Sequence, residues 1–327
     1  MFDDSTLVED RIERLHERLG KELFRVLAPV HVTAWKAPGE PVDFATAAGA
    51  SYTSIASGDR WGPAWSTWWF KLSGTVPAEA KSERVQLRVD LGFEGDWAGN
   101  QSEGLAYTTS GTPLKGVNPM NRLIPLTGKG LPETIAKAGE SLLDENGNVD
   151  LFIEAGANPN MGDYMNSPTD LGDLSTRPDT PVWAFGGADL VVRNESVWHL
   201  WLDVEVLWGV LKEQPKDSTL RATLLRRLEE AADIVDAQGI HEGADAARAH
   251  LAPAIASGAG NSAQIMSAVG HAHIDSAWLW PLRETRRKVA RTFSNVLALA
   301  EDYPEFTFAC TSAQHYAWLK DGAPALF

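Results

Sequence analysis

The sequence predicts a multidomain α+β protein. An N-terminal helix is expected over 1–29, a jelly-roll-like β-sandwich over 30–193, a helical connector over 194–260, and the opening strand-helix-strand of a parallel α/β unit over 261–327. Three observations predict it. Apolar residues recur with helical spacing at the N-terminus and again after Asn194, whereas between them the period is two with frequent Gly, Pro and Asn punctuation. The last segment then reads as an apolar strand, an amphipathic helix and a second strand. A length of 327 residues at 44% hydrophobic content is enough for more than one core.

Each element follows from its own residues. Leu7, Ile12, Leu15, Leu19, Leu23 and Leu27 step mostly by three or four among charges and predict a helix over residues 5–27. Trp68, Phe70 and Leu72, then Val85, Leu87, Val89 and Leu91, alternate as half-buried strands do. Leu151–Ile153 and Leu190–Val192 are further strand pieces, and Asn158 to Pro181 reads as a loop excursion. Val197, Leu200, Trp201, Val204, Leu207, Trp208 and Leu211 predict a helix starting near Glu195 and ended by Pro215. Asp217 or Ser218 can cap the next helix, which runs to Gly239, and a third is expected from about Glu242 to Ile255. Ser257–Ser262 is the best linker candidate. An apolar strand Ile265–Val269, a helix from about Arg283 to Ala300 and a strand Phe306–Cys310 complete the chain.

Composition excludes several classes. A formal charge of −15 without a basic tract argues against nucleic-acid binding. The N-terminus lacks the basic and apolar regions of a secretory signal, and no run is long enough to cross a bilayer, so no membrane partner is expected. The single cysteine, Cys310, fits a reducing compartment, and a cytoplasmic location is the expectation. The sequons at Asn100 and Asn194 are then chance matches. Asp144–Asp150 lacks the glycine and terminal glutamate of a calcium loop and reads as a hairpin turn through Asn146-Gly147. Arg283, Arg286, Arg287, Lys288 and Arg291 read as a solvated or interdomain helix face. Trp61 to Trp69, with Trp97, reads as sandwich core, the alternative being a sugar-binding platform.

The candidate site is at the end of the expected strand 265–269. His271, His273 and Asp275 are two residues apart, so in extended chain they face one side and can converge on a point. Two imidazoles and a carboxylate can hold a Zn²⁺-like ion. The competing reading has one histidine ending the strand and Asp275 capping the following helix. Spacing alone predicts a metal site and no particular reaction.

The longer string narrows the choice. Gly270-His-Ala-His-Ile-Asp-Ser-Ala-Trp-Leu-Trp-Pro-Leu-Arg-Glu-Thr285, with Arg291-Thr-Phe293 and Thr311–Trp318, closely resembles the first block of the glycoside hydrolase family 38 α-mannosidases, in the branch of large cytosolic or vacuolar-type enzymes. Trp61–Phe70, Val85–Gly92 and Ser196–Glu205 resemble that branch's N-terminal β-domain and helical connector more loosely. The resemblance implies that residues 261–327 begin a (β/α) barrel, truncated here since such a barrel needs about 250 residues. It implies that His273 and Asp275 bind the active-site zinc, that His271 supports them, and that Trp278 lies under the mannose ring. Trp280 is read equally as a site or a core residue. The implied substrate is an α-mannoside oligosaccharide, and a homo-oligomer is compatible with the resemblance. The family's nucleophile, acid/base and remaining zinc ligands fall in later blocks, so no catalytic carboxylate is assigned in this chain and the chain alone is expected to be inert. The alternatives are a non-catalytic carbohydrate-binding or interaction module, or a different barrel metal hydrolase such as a deacetylase or phosphoesterase.

Overall fold

A computed structural model describes residues 5–99, 101–128, 131, 141–160, 179–257, 266–276, 278 and 280–327. The chain divides into two compact units, one of residues 1–25 with 192–266 and one of residues 26–191 with 267–327. Most of the expected excursion between Asn158 and Pro181, and most of the expected linker after Ser257, lie outside the described residues.

The chain opens with helix α1, Ser5–Lys21, which buries Val8, Ile12, Leu15 and Leu19. It stops earlier than the leucine spacing predicts. Leu23 joins the same core beyond the helix end, and Leu27 belongs to strand β1, Phe24–Pro29. Pairing of β1 with a strand far along the chain outweighs the local helical period.

The sandwich continues with β2 (His31–Lys36), the short helix α2 (Phe44–Ala48), β3 (Thr53–Ser54), β4 (Arg60–Pro63), β5 (Thr67–Thr75), β6 (Val85–Asp90), β7 (Glu103–Tyr107), β8 (Pro113–Val117), β9 (Leu123–Pro125), β10 (Asn148–Gly156), β11 (Pro181–Ala184) and β12 (Gly187–Arg193). One sheet has the order β1-β12-β6-β9 and the other β3-β2-β5-β10-β7-β8, with β4 and β11 forming a separate pair. Strand β10 is central, antiparallel to β5 on one side and β7 on the other.

The period-two residues Phe70, Leu72, Val85, Leu87, Val89 and Leu91 are all buried. In β5 the alternation breaks because the second face is covered as well. Trp69 packs with Phe44 of α2 and with Phe152, while Phe70 on the opposite face meets Trp61 edge-on and stacks on Phe185. The Trp61–Trp69 segment is therefore core, with Trp61, Trp65 and Trp69 all buried. Asn146-Gly147 does form a turn, with Gly147 at φ +86° and Asp144 accepting from the Asn146 and Asn148 amides. It leads into β10, and residues 132–140 on its other side lie outside the described residues.

Helices α3 (Glu195–Lys212), α4 (Thr219–Gln238) and α5 (Ile240–Ile255) come next. Ser218 caps α4 by accepting from the Arg221 amide, and Gly239 at φ +93° ends it. These helices share one core with α1, in which Ile12, Leu15 and Leu19 meet Leu200, Val204, Leu228, Val235 and Leu251. Ion pairs Arg11–Asp233, Arg11–Asp236 and Arg18–Asp236 tie α1 to α4.

The remaining elements are β13 (Gly270–His271), α6 (Leu282–Asp302), β14 (Phe308–Ala309) and α7 (Ala313–Gly322). Strand β13 pairs in parallel with β14, as the strand-helix-strand reading predicts. Both are two residues long. Met266 to Val269, expected as a buried strand, are exposed and irregular, with Met266 at 91% of full exposure; Ile265 lies outside the described residues. Their apolar character has no second strand to pair with beyond the two positions offered by β14. The described residues form no closed barrel. No described helix is long and apolar enough to cross a membrane.

Candidate functional site

Strand β13 fixes where the motif begins. The Gly270 amide donates to the Thr307 carbonyl at 2.8 Å, and a Cβ at Gly270 would meet the Phe306 ring at 2.9 Å, so only glycine lets the two segments close. After His271 the backbone leaves strand geometry, and the rule that residues two apart share a face no longer holds. This decides how the three predicted groups meet. His273 Nε2 and Asp275 Oδ1 lie 3.3 Å apart, whereas no group of three or more His, Cys, Asp or Glu side chains arranged for a metal occurs among the described residues. Among the described residues His273 and Asp275 therefore meet as a pair, with His271 exposed at the strand end.

The pair fits a zinc-type ion by a simple test. A tetrahedral Zn²⁺ with Zn–N and Zn–O bonds of about 2.0–2.2 Å places two adjacent donor atoms roughly 3.3–3.5 Å apart. The observed 3.3 Å matches that edge and is longer than the ~2.7–2.9 Å of a charge-assisted hydrogen bond. One imidazole nitrogen and one carboxylate oxygen are also the donor types such an ion takes.

Asp275 is held from behind. Its main-chain carbonyl accepts from Trp280 Nε1 at 3.2 Å and from Thr285 Oγ1 at 3.4 Å, and Trp280 Nε1 also reaches Thr285 Oγ1 at 3.1 Å. Trp280 is 7% exposed and packs against Ala64 and Trp65 of the sandwich, with the Lys288 ammonium 4.6 Å from its ring centre. Trp65 takes φ +63°, an outlier for an aromatic residue, held by the hydrogen bond its N–H donates to the Ala157 carbonyl at 2.9 Å. Trp280 is accordingly buried, while Trp278, T-shaped against it at 5.3 Å, remains 44% exposed. Beside Asp275, Ser276 Oγ is 3.3 Å from Nε2 of His315, whose burial holds it below the usual histidine range.

Helix α6 carries a buried polar stripe. Glu284, Lys288, Arg291 and Asn295 recur at helical spacing and all face inward. Glu284 accepts from Asn158 Nδ2 and Arg287 Nε, both at 2.9 Å, and from Arg291 Nη1. Lys288 pairs with Glu103, and Arg287 reaches Glu154 at 3.2 Å and Thr67 at 2.8 Å. Burial by itself pushes the Glu284 carboxyl up, but Arg287, Arg291 and Lys288, with the Asn158 hydrogen bond, outweigh it and hold Glu284 far below the usual carboxylate range. Of the five basic residues read as a solvated or interdomain face, three are in this stripe or its pairs, against strands β7 and β10. The cationic spacing is visible in the sequence; the carboxylates that balance it are not, because they lie far away in the chain.

The motif lines a cavity of about 810 Å³. His271, His273, Asp275 and Trp278 form one part of its wall, and Trp97, Asn118 and Asn121 of the sandwich form another. A volume of this order lies within the ~300–1,000 Å³ of small-ligand pockets.

Comparison with known proteins agrees with this organisation. A family model described as "Alpha-mannosidase, jelly roll domain" matches residues 28–199, and one described as "Glycosyl hydrolases family 38 N-terminal domain" matches residues 263–327. Human "Alpha-mannosidase 2C1" is 30% identical over 311 residues, covering 93% of this chain and 27% of that protein. "Alpha-mannosidase G" of Dictyostelium discoideum is 27% identical over 294 residues, covering 88% of this chain and 24% of that protein. The "Alpha-mannosidase" of Saccharomyces cerevisiae is 27% identical over 281 residues, covering 81% and 23%. The chain thus spans about a quarter of the length of these relatives. Among solved structures, the β-glucuronidase of Ruminococcus gnavus aligns with 52% of this chain and 29% of its own at 10% identity and a TM-score of 0.31.

Proposed function

Because this chain belongs to the glycoside hydrolase family 38 α-mannosidases, we propose that it is the N-terminal part of a zinc-dependent, retaining α-mannosidase acting on α-mannoside oligosaccharides in the cytoplasm. The observation that carries the reading is the His273–Asp275 pair at tetrahedral-edge spacing beside the exposed ring of Trp278.

In this reading His273 Nε2 and Asp275 Oδ1 are two of the zinc donors, and His271 supports the site from the strand end. A bound zinc supplies positive charge that grips sugar hydroxyls and favours the distorted, oxocarbenium-like ring of the transition state. Trp278 offers an apolar aromatic face to the C–H side of the pyranose. Trp280 and Thr285 fix the Asp275 main chain, so the carboxylate keeps one orientation as substrate enters. A retaining glycosidase also needs two carboxylates about 5 Å apart. We assign these, and the remaining metal donors, to the length of the relatives that this chain does not span, which makes residues 1–327 alone catalytically inert.

The test is hydrolysis of an aryl α-mannoside by the full-length protein, with and without a chelator, beside Asp275→Ala. Chelator-sensitive turnover that Asp275→Ala lowers by at least 100-fold is expected. A folded, zinc-loaded full-length protein without turnover would instead point to the deacetylase or phosphoesterase alternative.

A further inference from the structure

Tryptophan exposure singles out a second aromatic at this site. Of the thirteen tryptophans, only Trp97, at 65%, and Trp278, at 44%, are among the exposed large hydrophobic residues. Both line the same cavity, one from the sandwich and one from the His/Asp motif. A large apolar ring left in solvent costs free energy. Two such rings sharing one cavity, while the other eleven are at least partly covered, is the arrangement expected of a ligand wall.

The loop that carries Trp97 is pinned at both ends. Asp90 Oδ1 accepts from the Gly92 and Phe93 amides at 2.8 and 2.9 Å, and its other oxygen accepts from Arg122 Nη1 at 3.1 Å. At the far end Gln101, itself buried, accepts from the Glu94 amide at 3.0 Å and donates to the Glu94 and Trp97 carbonyls. Gly99 lets the indole lie against the backbone, since a Cβ there would meet Trp97 Nε1 at 2.7 Å. The backbone is therefore fixed while the ring stays uncovered. Asn118 and Asn121 line the same wall, with Asn118 Oδ1 accepting from Asn121 Nδ2 and Asn121 Oδ1 accepting from Lys115 Nζ, both at 3.3 Å.

We propose that Trp97 is a specificity-determining platform on which the sugar next to the cleaved mannose stacks, so that the jelly-roll domain reads the leaving-group side of an oligosaccharide. This rests on the α-mannosidase reading of the His273–Asp275 site. The aromatic face meets the C–H surface of that second pyranose, and it contributes only when a second sugar is present.

The experiment compares the zinc-loaded full-length enzyme with Trp97→Ala and Trp97→Phe on two substrates, an α-linked mannotriose and α-mannosyl fluoride, whose leaving group has no ring to stack. Trp97→Ala should lower kcat/KM on mannotriose about tenfold, equal to about 1.4 kcal/mol. On the fluoride the change should stay within about twofold, and Trp97→Phe should keep most of the mannotriose activity. An equal loss on both substrates, or no loss on mannotriose, overturns the platform. If the wild type cleaves neither substrate, the α-mannosidase reading fails, and calorimetric titration with mannotriose then decides the platform separately. Binding that Trp97→Ala weakens keeps it, and binding that is absent or unchanged by the substitution removes it.

Discussion

Glu284→Ala is the sharpest test of how α6 is held. The side chain is 1% exposed and is the acceptor shared by Asn158, Arg287 and Arg291. Without it Arg287 keeps Glu154 and Thr67, but Arg291, also buried, keeps only Glu103 at 3.4 Å, and Asn158 Nδ2 loses its 2.9 Å acceptor. One buried positive charge is left unbalanced. Breaking a buried pair in this way costs about 3–5 kcal/mol, and at about 2–4 °C per kcal/mol for a unit of this size the expected fall in Tm is roughly 6–20 °C. The control is Asp189→Ala, which removes a half-exposed pair with Arg88 at 3.1 Å and should cost about 0–1 kcal/mol. The assay is urea and thermal unfolding of both variants beside the wild type. The pH dependence has a defined sign. Because the folded carboxyl titrates below its unfolded value of about 4.3, its contribution is present above that pH and is lost as pH falls below it. The wild type should therefore approach Glu284→Ala in stability as the solution is acidified. A Glu284→Ala loss no larger than that of Asp189→Ala would refute the argument that this stripe docks the helix.

Two further outcomes come from the same geometry. Thr285→Val removes one of the two donors to the Asp275 carbonyl and should weaken zinc binding by the full-length protein about three- to tenfold in a competitive metal titration; unchanged affinity would show that Trp280 suffices. Lys115, half-buried and 3.3 Å from Asn121 Oδ1, is pushed down to about 8 by burial, with Asp302 opposing. Since its unfolded value is about 10.4, the unfolded chain holds the proton more strongly between those values and stability rises with pH across that window. Lys115→Met should accordingly unfold at higher urea than the wild type below pH 8, and the difference should close by about pH 10.5; a constant gap would mean the charge is not what matters.

Much of this was legible locally. Ser218 and Gly239 bound α4 through cap chemistry that needs no tertiary context. The 270–285 string holds the proposed donors His273 and Asp275 in order, and the parallel pairing of the strands around α6 follows from the alternation of elements. What was not legible depends on partners distant in sequence. Leu27 continues a helical period yet lies in a strand, because β1 pairs with β12. Lys288 and Arg291 read as a solvated or interdomain face without a choice between the two, because Glu103 stands 185 and 188 positions earlier. That His273 and Asp275 meet at 3.3 Å reflects backbone beyond a two-residue strand, where side-chain period no longer predicts direction.

The polar stripe of α6 also bears on the order in which the polypeptide is made. Its anionic partners Glu103 and Glu154 are synthesised 185 and 133 positions before the Lys288 and Arg287 that need them. At about 5–20 residues per second the ribosome separates the members of each pair by roughly 7–40 s, ample time for a β-domain to settle. Folding in order of synthesis predicts that strands β7 and β10 are already formed when the helix emerges. On that expectation, translation pauses between residues 193 and 284 should raise the yield of folded protein more than pauses placed after Asp302, and equal yields would refute it.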